Sequence, residues 1–114
     1  VYPASVFGRI AALCERAGNG EQGSGGITAF YTVLVEGDDP NDPVGDSARS
    51  ILDGDLVLSR RLADRSHFPA LDVGASISRV MPAVVPAGQL ARAHRFKHLY
   101  NRLEESRDIL AIGG

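Results

Sequence analysis

The chain has 114 residues, 44% hydrophobic and 23% charged, with a formal net charge of −2. These are ordinary globular values, which exclude wholesale disorder and any broad electrostatic pull toward nucleic acid or an anionic membrane. The single Cys14 excludes an internal disulfide, leaves too little sulfur for a structural zinc site and suits a reducing cytosol.

One domain, or part of one, is the expected scale, with room for a modest core. No apolar run approaches the roughly 18 residues of a membrane span, and no basic-then-apolar leader is present. A start at Val1 rather than Met is consistent with an excised or processed piece.

Pro3 is suited to open a helix, on which Phe7, Ile10 and Cys14 fall on one face at three- and four-residue steps. Gly18 and Asn19 are natural stops for it. Cys14 is therefore expected to be a small apolar core residue, not a nucleophile. Residues 18–26 read Gly-Asn-Gly-Glu-Gln-Gly-Ser-Gly-Gly. Consecutive amides of this kind can cradle an anion, but the stretch lacks lysine and precedes a strand rather than a helix. A mobile connection is expected there.

Residues 27–35 form a nearly continuous apolar, β-branched and aromatic run, the pattern of a strand covered on both faces. The acidic stretch 36–43 breaks it. This stretch lacks the alternation and terminal glutamate of a calcium loop, so a solvated turn is expected and no metal ligand is assigned. Asp42 followed by Pro43 reads as an N-cap and first helical residue. Val44, Ala48, Ile51 and Leu52 then recur as the apolar face of a helix stopped by Gly54. Leu56-Val57-Leu58 reads as a second short buried strand, and Ser59 as the cap of a brief helix through Leu62 and Ala63. Strand, helix, strand, helix with short joints predicts an α/β fold with a parallel sheet. Ligands of such sheets bind beyond the carboxyl ends of the strands.

The stretch 67–81 emerges at that end. It carries Arg79 in a segment rich in Gly and Ser, where functional side chains are commonly presented. A guanidinium keeps its charge and grips phosphate oxygens, so it can neutralise charge developing on a phosphoryl group. It can equally do no more than pair with a nearby carboxylate such as Asp72. His67 has no partner in sequence and is expected to be structural. From Pro86 the pattern is a long helix with a stripe of Phe96, Leu99, Leu103 and Leu110, widened by Tyr100 and Ile109. Arg92, Arg95, Lys97 and Arg102, with His94 and His98 nearby, are diluted by Glu104, Glu105 and Asp108. A solvated face is expected there, with a subunit or stator contact as the alternative to nucleic acid.

Four ordered strings carry a resemblance. Ile27-Thr28-Ala29-Phe30-Tyr31-Thr32-Val33-Leu34-Val35-Glu36-Gly37-Asp38-Asp39 is followed by Ser47-Ala48-Arg49-Ser50-Ile51-Leu52-Asp53-Gly54. Then come Leu56-Val57-Leu58-Ser59-Arg60-Arg61-Leu62-Ala63 and the stretch 67–81. Together they resemble the flagellar protein-export ATPases and their injectisome (type III secretion) relatives, and more distantly the catalytic subunits of rotary ATP synthases. The wording at 46–49 and 75–79 leans to the flagellar branch. A helicase of the RNA-terminating kind fits less well.

The resemblance implies the second half of a RecA-like P-loop ATPase core over residues 1–85 and the start of a helical C-terminal domain over 86–114. No Gly-x-x-x-x-Gly-Lys-Ser/Thr occurs in the sequence. The family's phosphate loop, magnesium ligands and catalytic glutamate are accordingly expected before Val1. The resemblance further implies ATP with Mg2+, a homo-oligomeric (hexameric) ring, stalk and regulator proteins, and export substrates with their chaperones. A cytoplasmic location at the inner face of the export apparatus follows from it.

Within that frame Arg79 is the expected trans-acting arginine finger, and Phe68 with Pro69 the adenine-packing pair. Phe stands where relatives usually have Tyr, so the stacking face remains without a hydroxyl to hydrogen-bond; the alternative is a Phe that anchors the loop to the core. Asp38 and Asp39 lie in the loop that in rotary ATPases points into the ring's central hole. Gly26 replaces a usual Ser and is expected to loosen the start of its strand. The isolated chain is expected to hydrolyse no ATP; a non-catalytic assembly or docking fragment is the other possibility.

Overall fold

The computed structural model describes residues 2–113, with side chains through residue 110, as two compact units divided between Leu52 and Asp53. In the first unit, helix α1 spans Ala4–Cys14 with Pro3 at its N-cap. Phe7, Ile10 and Cys14 are among its half-covered positions, as the three- and four-residue spacing predicts.

The glycine-rich stretch departs from expectation by closing on itself. Strands β1 (Gly18–Asn19) and β2 (Gly26–Ile27) pair antiparallel, with Gly18 opposite Ile27 and Asn19 opposite Gly26. Gly20 N–H donates to Gly25 O at 3.1 Å and Ser24 N–H to Glu21 O at 2.9 Å, which completes a hairpin. Gly26 is therefore held in a ladder. Gly18 and Gly23 adopt φ of 121° and 89°, values an L side chain rarely takes.

The run 28–35 is extended but has no ladder partner among the described residues, so the predicted parallel sheet is not formed within this chain. Its coverage is one-sided. Tyr31, Val33 and Val35 are half-covered, whereas Phe30 and Leu34 are 84% and 88% exposed. The period of two explains the split: odd positions turn toward the helices, with Tyr31 Oη donating to Leu13 O at 3.2 Å, and even positions alternate to the other side.

Helix α2 (Pro43–Ile51) packs on α1 and buries Gly45 and Ala48. Its start follows the sequence. Asp42 Oδ1 accepts from Val44 N–H at 2.9 Å and Gly45 N–H at 3.1 Å. It ends three residues before Gly54, with Leu52 already extended, so Gly54 is not its stop.

In the second unit, β3 (Gly54–Asp55) pairs antiparallel with β4 (Ile77–Ser78). Leu58 bridges Leu71, and Ser59 N–H donates to Ala70 O at 2.8 Å. The short strand around Leu56–Leu58 thus pairs locally and antiparallel, and it leaves Leu56 and Leu58 exposed. Helix α3 (Arg60–Asp64) is capped by Ser59 Oγ, which accepts Leu62 N–H at 3.4 Å, and it buries Leu62.

Helix α4 (Met81–Val84) leads into α5 (Ala87–Gly113). The half-covered positions of α5 are Leu90, Ala93, Lys97, Tyr100 and Glu104. The predicted stripe of Phe96, Leu99, Leu103, Ile109 and Leu110 is exposed, and Lys97 lies on the inner side instead of the wet one. Periodicity finds the helix; which side is covered depends on what the unit places beside it.

Candidate functional site

Arg79 lies between β4 and α4, held at both backbone and side chain. Its backbone N–H donates to Asp53 O at 2.8 Å, and its Nη2 donates to Asp55 Oδ2 at 3.1 Å. The Asp55 side chain is 13% exposed and that of Arg79 is 40% exposed. The pairing register explains the meeting. Asp55 sits opposite Ile77, so Arg79 is its diagonal neighbour on the same face, within reach of a long side chain.

Gly54 permits the strands to approach this closely, because a Cβ there would come within 2.8 Å of Ile77 O and 3.4 Å of Ser78 Cα. Partly exposed pairs of this kind add about 0–1 kcal/mol to stability. The contact therefore adds little to folding.

Asp72, the carboxylate nearest in sequence, serves the turn before β4. Its Oδ1 accepts Ala75 N–H at 3.1 Å, and its carbonyl accepts the Ser76 hydroxyl at 2.7 Å. Ser76 Oγ in turn accepts Val57 N–H at 3.0 Å, and Ser76 O accepts Lys97 Nζ at 2.6 Å. The segment carrying Arg79 is thereby tied to the strand before α3 and to α5.

Phe68 stands after α3, joined to Pro69 by a cis peptide bond, and is 71% exposed. Anchoring falls instead to Leu62, 4% exposed, whose carbonyl accepts His67 N–H at 2.9 Å. Phe68 and Arg79 are held by different contacts. An apolar cleft of about 630 Å³, lined by Leu56, Leu71, Ile77, Met81, Leu90 and Phe96 among others, includes neither.

In the first unit, Asp39 Oδ1 accepts Asn41 N–H at 2.9 Å, and Asp38 adopts φ of 57°. Two of the loop's acids, Asp39 and Asp42, thus cap backbone amides. Among the described residues no three His, Cys, Asp or Glu side chains gather as metal ligands.

Sequence patterns do not single out Asp55, Ser76 or Lys97 as site residues. Asp55 is 24 residues from Arg79, and a two-residue ladder leaves almost no periodic signal. Lys97 looks like one more solvated cation of a mixed-charge helix.

An α/β chain that presents an arginine between strand and helix offers a group suited to a phosphate-bearing ligand. The chain belongs to the ATP synthase alpha/beta family, whose nucleotide-binding domain matches residues 1–78. Within that family it matches proteins named flagellum-specific ATP synthases and type 3 secretion system ATPases. It is 60% identical over 112 residues to the flagellum-specific ATP synthase of Pseudomonas aeruginosa, covering 98% of this chain and 25% of that protein. It is 63% identical over 83 residues to the SPI-2 type 3 secretion system ATPase of Salmonella typhimurium, covering 73% of this chain and 19% of the relative. Its fold matches the assembled ATPase EscN of the enteropathogenic E. coli type III secretion system with a TM-score of 0.88 and 48% identity, over 98% of this chain and 27% of EscN. EscN has also been solved in complex with its central stalk, EscO. The chain spans about a quarter of the length of the curated flagellar relatives it matches.

Proposed function

We propose that this chain is part of a ring-forming ATPase that hydrolyses ATP to energise flagellar (type III) protein export. Residues 1–85 would complete its RecA-like core and 86–114 would begin its helical C-terminal domain. Arg79 is the trans-acting finger, offered to the γ-phosphate held by a neighbouring subunit. Phe68 and Pro69 pack on the adenine of the chain's own nucleotide. The observation that carries this is Arg79 itself: 40% exposed, anchored to the ladder by its backbone and 3.1 Å from Asp55 through its side chain.

ATP is the substrate, and the magnesium that accompanies it would be held by residues outside this chain. The proposed partners are copies of the same subunit in a hexameric ring, a stalk reached by Asp38 and Asp39, regulators, and export substrates with their chaperones. Nucleic acid is not among them. The setting is the cytoplasm at the inner face of the export apparatus, peripheral to the membrane at most.

In the full-length ATPase carrying this sequence, Arg79→Ala should cut turnover by about 10³–10⁵ while nucleotide binding stays largely intact. Weakened binding with unchanged turnover per bound nucleotide would refute the assignment. The 63% identity to an injectisome ATPase keeps that branch as the second reading. Complementation separates the two: restored swimming in a strain lacking its flagellar export ATPase supports the first, and restored injectisome secretion alone supports the second.

A further inference from the structure

We propose that Asp55 is a positioning residue for the arginine finger, a role that rests on the reading of Arg79 above. An arginine side chain has many rotamers, so an unheld one seldom points where a phosphate needs it. Here the carboxylate that holds it is mostly covered, 13% exposed, and stands on the β3–β4 ladder rather than on a free loop.

The Arg79 side chain stays 40% exposed while Nη2 meets Asp55 Oδ2 at 3.1 Å. A guanidinium is a planar fork of N–H donors, so a carboxylate held against it orients the whole plane. The backbone bond from Arg79 N–H to Asp53 O sets where the side chain begins, and Asp55 sets the direction in which it extends. Asp55 touches neither nucleotide nor attacking water in this scheme; it acts through Arg79 alone.

The test is a double-mutant cycle in the assembled full-length ring, with turnover read by phosphate release and ATP affinity by a fluorescent nucleotide. Asp55→Asn keeps the shape and removes the charge. It should lower kcat about 10- to 100-fold, the scale of a misplacement near 1 Å, with KM for ATP and the urea midpoint of unfolding unchanged. In an Arg79→Ala background the same substitution should change the residual kcat no further. An equal fold-loss in both backgrounds would show that Asp55 acts through the general fold, and the proposal fails. Unchanged or raised kcat in Asp55→Asn, with Arg79→Ala still crippling, also overturns it; a rise would mean that the carboxylate competes with phosphate for the guanidinium. A fully active Arg79→Ala ring instead sinks the finger assignment itself, whatever Asp55→Asn does.

Discussion

Replacing Gly54 by alanine places one methyl group against the strand that precedes Arg79. The added Cβ would lie 2.8 Å from Ile77 O and 3.4 Å from Ser78 Cα. Both obstacles are backbone, so no flexible side chain can swing away. Ordinary contact requires the strands to part by about half an ångström, and overpacking of this kind costs roughly 1–3 kcal/mol.

The same displacement stretches the 2.8 Å bond from Arg79 N–H to Asp53 O and the 3.1 Å contact with Asp55. Half an ångström at the backbone grows along the arginine's long stem. A fall in kcat of about 10- to 100-fold is therefore expected, with KM for ATP little changed. Steady-state hydrolysis by the assembled full-length ring, with urea unfolding alongside, measures both effects. Wild-type turnover and an unshifted unfolding midpoint would show that the β3–β4 contact does not set the arginine's position.

Substitutions at two further positions address other parts of the chain. Phe68→Ala should raise KM for ATP several-fold, because stacking on a base is worth about 1–3 kcal/mol, whereas Phe68→Tyr keeps the ring face and should leave KM near its original value. Steady-state kinetics in the full-length ring decides, and an unchanged KM in the alanine variant removes the adenine role. Asp42→Ala strips the cap from Val44 and Gly45 and should destabilise the protein by about 1 kcal/mol in chemical denaturation, with Asp42→Asn milder because it still accepts those bonds.

The elements most legible in the sequence are those specified within a few residues. Asp42-Pro43 and Ser59 start their helices where expected because a cap is a contact between neighbours in the chain. The fold class is legible for a related reason, since the family strings are long and ordered. What escapes is decided at a distance. The apolar run 28–35 announces a strand but not which faces will be covered, and here only the odd-numbered face is. For Arg79 the nearer acid, Asp72, is the better partner on spacing alone. Spacing does not reveal the turn hydrogen bonds that already occupy Asp72, or the ladder that brings Asp55 across. On α5 the exposed Phe and Leu stripe outshines Leu90, Ala93 and Lys97, because hydrophobicity marks a surface that wants cover without saying whether this unit supplies it.

The 2.6 Å bond between Lys97 Nζ and Ser76 O is a directional contact between the long helix and the arginine segment, near the helix's middle. Each residue of an α-helix advances about 100° around its axis, so turning α5 by a single residue step sweeps the ammonium clear of that carbonyl. A side chain too short to reach that carbonyl would therefore release the helix from a point three residues before Arg79.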